Sequence, residues 1–156
     1  MKINGKKLDQ PYTKVIAFPR EGEDLVFVAT AITSYDEFHR LCPEPRPKLE
    51  TKPGMAPKPL FNDPKYVAEH DKWYSRKAQW MIIESLKDSP GLEWESVDRL
   101  DPETWSNVYA ELESAKFTDI EQAKLTNTIF EVNGYSDSAI EAAKQRFFVG
   151  QQEKAQ

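Results

Sequence analysis

Reactive side chains are scarce in this chain. Its 156 residues include one cysteine, two histidines and six glycines. A single cysteine, Cys42, excludes an internal disulfide. Two histidines, His39 and His70, leave few ways to build a nucleophile with a base and an orienting acid. Cys42 abuts Pro43 at a helix end with no basic cluster to lower its pKa. There is no Cys-x-x-Cys, His-x-x-x-His or Glu-x-x-His spacing for a metal. Asp88, Asp98 and Asp101 lack the calcium-loop pattern, and Glu93 and Glu95 read as solvated surface. The scattered glycines form no phosphate-cradling loop. Catalytic residues, cofactor and metal are therefore all expected to be absent.

Long apolar runs are missing too. None approaches the roughly 18 residues of a membrane span, and Met1–Asn4 has no charged-then-apolar leader pattern. A soluble, intracellular protein is the expectation.

What is present is charge and aromatic bulk. Charged residues make up 30% and apolar residues 39% of the chain. Four Trp, eight Phe and six Tyr supply large side chains for a thin core. The charge is uneven. Residues 1–62 hold ten Lys/Arg against eight Asp/Glu, and residues 63–156 hold eleven against eighteen. An acidic half opposes a nucleic-acid partner, whose phosphates need clustered Lys and Arg.

The pattern predicts a mainly α protein of α+β class. Asn4-Gly5 favours a tight turn. Thr13–Phe18 and Leu25–Ile32 read as a β-hairpin that must pack on something. Ser34 to Glu37 fits a capping box for a short helix to about Leu41. Residues 1–42 form the first expected segment. Six prolines from Pro43 to Pro59, with Pro64 just beyond, make residues 43–62 an extended linker, either a spacer or a strap across a neighbour.

Residues 63–150 then read as four helices, expected to fold without the hairpin, followed by a fraying tail over 151–156. Asp63-Pro64 opens the first, with Tyr66, His70, Trp73, Lys77, Trp80 and Ile83 on one face, widened by Val67, Tyr74, Met81 and Leu86. It should end near Asp88. Leu92–Leu100 is a connector anchored by Leu92, Trp94 and Val97. Asp101-Pro102 opens the second helix, striped by Trp105, Val108, Tyr109 and Leu112. Thr118 to Glu121 is a capping box for the third, with Phe117 as its staple and an apolar set of Ile120, Ala123, Ile129, Phe130 and Val132. Asn133-Gly134 stops it. Ser136 should cap the fourth, with Ala139, Ile140, Ala143 and Phe147 on one side, ending near Gly150. Helical spacing makes core packing the first expectation for the tryptophans. Trp73, Trp80, Trp94 and Phe148 are also the candidate partner-contact residues.

Three stretches carry a family resemblance. One runs from Val15-Ile16-Ala17-Phe18-Pro19-Arg20 through Asp36-Glu37-Phe38 to Leu41-Cys42-Pro43-Glu44-Pro45-Arg46-Pro47. Another is Trp94-Glu95-Ser96-Val97-Asp98 with Pro102-Glu103-Thr104-Trp105. The third is Phe117-Thr118-Asp119-Ile120-Glu121, then Asn133-Gly134-Tyr135 and a helix reaching Phe147-Phe148. Together they span most of the chain, which resembles the tail assembly chaperones of tailed bacteriophages. That resemblance implies a non-enzymatic module that coats a long helical tape measure protein until tail tube subunits replace it. Self-association is compatible with it. Two other readings fit the residues: a minor virion component locked by the Pro-rich strap, and an inhibitor of a host protein.

Overall fold

The computed structural model describes residues 1–134 and 137–155. In chain order the elements are β1 (Lys2–Ile3), β2 (Lys6–Lys7), β3 (Thr13–Phe18), β4 (Leu25–Thr30), α1 (Asp36–Leu41), β5 (Leu49–Glu50), β6 (Lys58–Pro59), α2 (Pro64–Leu86), α3 (Asn107–Ser114), α4 (Asp119–Val132) and α5 (Asp137–Ala155). A one-turn 3-10 helix, Pro102–Thr104, precedes α3. The strands form three separate antiparallel pairs, and the α+β class is as expected.

The chain divides into two compact units that do not follow the expected boundaries. One holds residues 1–33, 85–92 and 117–156; the other holds 34–84 and 93–116. The reason is non-local packing. In the first unit the hairpin β3–β4 lies on α4. Phe18, Phe27 and Phe117 meet edge to face, with centroids 5.4 to 6.1 Å apart. Phe117 was expected to staple within its own helix; it fills the space under the hairpin instead. Leu125, Ile129, Val132 and Leu86 complete this core.

Charged pairs frame the contact between hairpin and α4. Arg20 grips both oxygens of Glu121 at 2.7 and 3.0 Å. Its guanidinium lies 5.2 Å from the Phe117 ring centre. Lys14 donates to both oxygens of Glu131 at 3.0 and 2.9 Å. The capping box of α4 is present: Thr118 Oγ1 accepts from the Glu121 amide, and Glu121 accepts from the Thr118 amide. Glu121 thus caps its helix and anchors the hairpin with one carboxylate. These donors hold its pKa down at about 2, the Arg20 guanidinium contributing most and the Thr118 amide next.

In the second unit the core is aromatic. Phe38 of α1 sits 5.5 Å from Trp73, 6.4 Å from Trp80 and 6.1 Å from Trp105 between ring centres. Trp80 and Trp105 are 5.1 Å apart. Trp105 is fully buried, and its Nε1 donates to the carbonyls of Asp98 and Arg99. That pairing folds the connector back onto the helix that follows it. Cys42, Met81, Ile82, Ile83, Val108 and Leu112 are also buried.

Local starts and stops fare well, with instructive exceptions. Asn4 and Gly5 have φ of 51° and 77°, so the tight turn forms. Asp63 Oδ2 accepts from the Tyr66 amide at 3.2 Å, and Asp101 Oδ1 accepts from the Glu103 amide at 3.1 Å. Asp101 caps the 3-10 turn, however, and not α3 itself. The Ser34 box does not form. Ser34 Oγ accepts from the Asp36 amide, while Glu37 turns to Arg40. A charge-assisted fork outweighs a neutral amide for that carboxylate. The first long helix ends at Leu86, short of Asp88, where Ser89 bonds back to the Leu86 carbonyl.

Of the four residues expected to widen the buried face of α2, Met81 and Leu86 are buried, but Val67 and Tyr74 are exposed. Ile120 is exposed as well, and Leu125 takes its place in the α4 stripe. The Pro-rich stretch is not uniformly extended: Leu49 pairs with Pro59 and Glu50 with Lys58. Proline is admitted because this two-residue ladder is all edge. Helix α5 runs through Gly150 to Ala155, where a frayed tail was expected. Gln, Glu, Lys and Ala propagate a helix well enough to absorb one glycine. The expected cap at Ser136 lies outside the described residues.

Trp105→Ala should destabilise the protein by about 3–5 kcal/mol in chemical denaturation, the range for deleting a large buried aromatic. A loss under about 1 kcal/mol would show that the ring contributes little packing.

Acid should also act through Glu121. Its folded pKa lies below the ordinary value of 4.5, so its contribution is complete above that value and is lost as pH falls towards about 2. Glu37, Glu103 and Glu111, also shifted down, act in the same direction. Glu121→Gln should lower the melting temperature at neutral pH and converge with the wild type near pH 2. A constant gap between the two across that range would contradict this role.

Candidate partner-binding surface

The four candidate contact residues separate cleanly by burial. Trp73 and Trp80 are core residues, 5% and 1% exposed. Trp73 Nε1 donates to the Cys42 carbonyl at 2.9 Å, and Lys77 Nζ lies 5.5 Å from its ring centre. Arg99 covers the other ring, its guanidinium 4.9 Å from the Trp80 centroid and hydrogen-bonded to Glu84 at 2.8 Å. Neither tryptophan is available to a partner in this structure, because each already packs on Phe38. Trp94 is half-buried in the connector. Phe148 is 56% exposed.

Phe148 belongs to a larger uncovered surface. Every described side chain of α5 from Asp137 to Val149 is exposed. Ile140, Ala143 and Phe147 recur at helical spacing, so they share one face. Phe147 and Phe148 touch each other, their rings 5.6 Å apart. Phe147 is 60% exposed and Ile140 44%. A helix of this length with little buried surface has only marginal stability of its own in water. Burying each phenylalanine fully would contribute about 1.5–3 kcal/mol. The sequence pattern located this stripe but assigned it to a packed helix. Periodicity alone cannot distinguish a face that meets its own core from one that waits for another chain.

The two histidines and the cysteine lie elsewhere, around Trp73, whose ring centre is 6.1 Å from that of His39 and 5.7 Å from that of His70 and whose Nε1 donates to the Cys42 carbonyl. His70 is half-buried, with its Nε2 3.2 Å from Glu44 Oε1. His39 is exposed and stacks on Trp73. Cys42 is buried. Glu21, Glu23 and Asp24 line an open depression of about 470 Å³, whose walls hold no serine, cysteine, histidine or lysine. Among the described residues no group of three His, Cys, Asp or Glu could hold a metal ion, and no helix is long and apolar enough to cross a membrane.

No family model, curated protein or solved structure matches this chain.

Proposed function

We propose that this protein is a non-enzymatic binding module that captures a helical protein partner along α5. The observation that carries the reading is the uncovered row of Ile140, Ala143, Phe147 and Phe148. A helix presenting anchors at such spacing pairs naturally with the apolar stripe of another helix. The residue-level resemblance described above makes the partner a phage tape measure protein, a long helical chain that must stay soluble until the tail tube encloses it. The protein then acts as a tail assembly chaperone, released before the particle is complete.

A structural role in the particle is favoured by a different observation. The Pro-rich segment exposes Leu49, Met55 and Phe61, each at least 60% accessible, around the β5–β6 pair. A strap of this kind could lock onto a neighbouring subunit.

Tagged protein expressed with its native gene set, followed by mass identification of what it retains, tests both readings. The chaperone reading expects a long helical partner and no signal in finished particles. A Phe147→Ser, Phe148→Ser double variant should lose that partner while its melting temperature stays unchanged, since neither ring is buried. Retention in finished particles would favour the structural role. Undiminished binding by the double variant would remove α5 from the contact.

A further inference from the structure

The two outer edges of the β3–β4 hairpin are treated differently. Hydrogen-bonded and non-hydrogen-bonded pairs alternate along an antiparallel ladder. Ala31 donates to the Tyr12 carbonyl, which sets the phase: Lys14, Ile16 and Phe18 bond across to β4. The backbone groups of Thr13, Val15 and Ala17 therefore point away from it, as do those of Val26, Val28 and Thr30 on the opposite edge.

The edge of β4 is partly closed. Ser89 Oγ accepts from the Val28 amide at 2.9 Å and donates to the Val28 carbonyl at 3.2 Å. Just beyond the strand, Asn133 Oδ1 accepts from the Ile32 amide at 2.8 Å. The edge of β3 is open. Among the described residues the amides and carbonyls of Thr13, Val15 and Ala17 have no hydrogen-bond partner. Their side chains are exposed, Val15 at 62%. Val26 extends this bare apolar surface on the neighbouring strand at 45%.

An open, unprotected edge is a template for another strand. We infer that β3 pairs antiparallel with β3 of a second copy about a two-fold axis at Val15, giving a four-stranded sheet across a homodimer. The positions of the prolines single out a second copy as the occupant. Pro11 and Pro19 fall on the same outward register as Val15, four residues to either side of it. Proline has no amide to give a ladder. A two-fold at Val15 sets Pro11 opposite Pro19 of the other copy at both ends. The ladder then runs from Thr13 to Ala17 in each chain, with about six backbone hydrogen bonds. A strand from an unrelated protein would have no need of symmetric stops.

Charge agrees with this register. Lys14 falls opposite Ile16 of the other copy, not opposite a second lysine, and its ammonium is already held by Glu131. Val15 meets Val15, a β-branched pair that suits a sheet surface. The surface is separate from α5, so the dimer and the partner proposed above can stand or fall independently.

Sedimentation equilibrium of the full chain at micromolar concentrations tests it. The wild type should approach twice the 18.0 kDa of one chain. Val15→Lys places two like charges across the axis and should weaken the dimer at least about 100-fold. Because Val15 is exposed, the monomeric variant should keep a native circular dichroism spectrum and a cooperative melt, lower than that of the dimer only by the lost association. Ala17→Lys should weaken the dimer too. Val26→Lys, on the same face but the other strand, and the Phe147→Ser, Phe148→Ser variant should both stay dimeric. A monomeric wild type would overturn the proposal. So would a dimer that survives Val15→Lys and Ala17→Lys, or one lost through the α5 substitutions instead.

Discussion

Phe117 packs edge to face against Phe18 and Phe27, and beside it Arg20 closes on Glu121 across 101 positions of sequence. A two-stranded hairpin alone is marginal in water. This cluster gives β3 and β4 a surface to bury against, and it gives α4 a reason to start where it does. The cap, the ion pair and the aromatic contact share one short stretch, Phe117 to Glu121. Loss of any of them loosens both the helix start and the hairpin. Phe38 has the matching part in the other unit. It is a fully buried ring from a six-residue helix, and Trp73, Trp80 and Trp105 all pack on it.

Local features were readable because their causes are local. Asn4-Gly5, Asp63-Pro64, Asp101-Pro102 and the Thr118 to Glu121 box depend on neighbours within a few residues, and each forms as a start or turn. The Ser34 box lost its glutamate chiefly to a stronger neighbour, Arg40, three residues on. Glu37 bonds to Arg40 and lies 3.9 Å from Arg99, a residue of the distant connector, so its carboxylate is not free to cap. Helical spacing made core packing the expectation for all four tryptophans, of which Trp73, Trp80 and Trp105 are buried and Trp94 is half-buried. It could not say that Val67, Tyr74 and Ile120 would face water, because both sides of those helices carry large apolar residues.

Burial divides the four candidate contact residues. Phe148 is exposed and Trp94 partly so, whereas Trp73 and Trp80 fill a core. The open edge of β3 was not legible at all. It depends on which backbone groups Ser89 and Asn133 reach, and nothing in the residues near β3 announces that those two side chains serve β4 and the stretch beyond it.

Neither unit is complete without the first forty-two residues, and that is where the reading of 63–150 as a self-sufficient domain and the interleaved packing disagree most sharply. Removing those residues takes away Phe18 and Phe27 from one core and Phe38 and Cys42 from the other. Each lost phenylalanine is worth about 1.5–3 kcal/mol, against a total stability of about 5–15 kcal/mol for a typical domain. Thermal and denaturant unfolding of a 63–150 fragment, followed by circular dichroism, is the direct measurement. Interleaved packing predicts a broad, non-cooperative transition with reduced helical signal. A sharp transition with full native helicity would contradict it and restore the helical stretch as an autonomous domain.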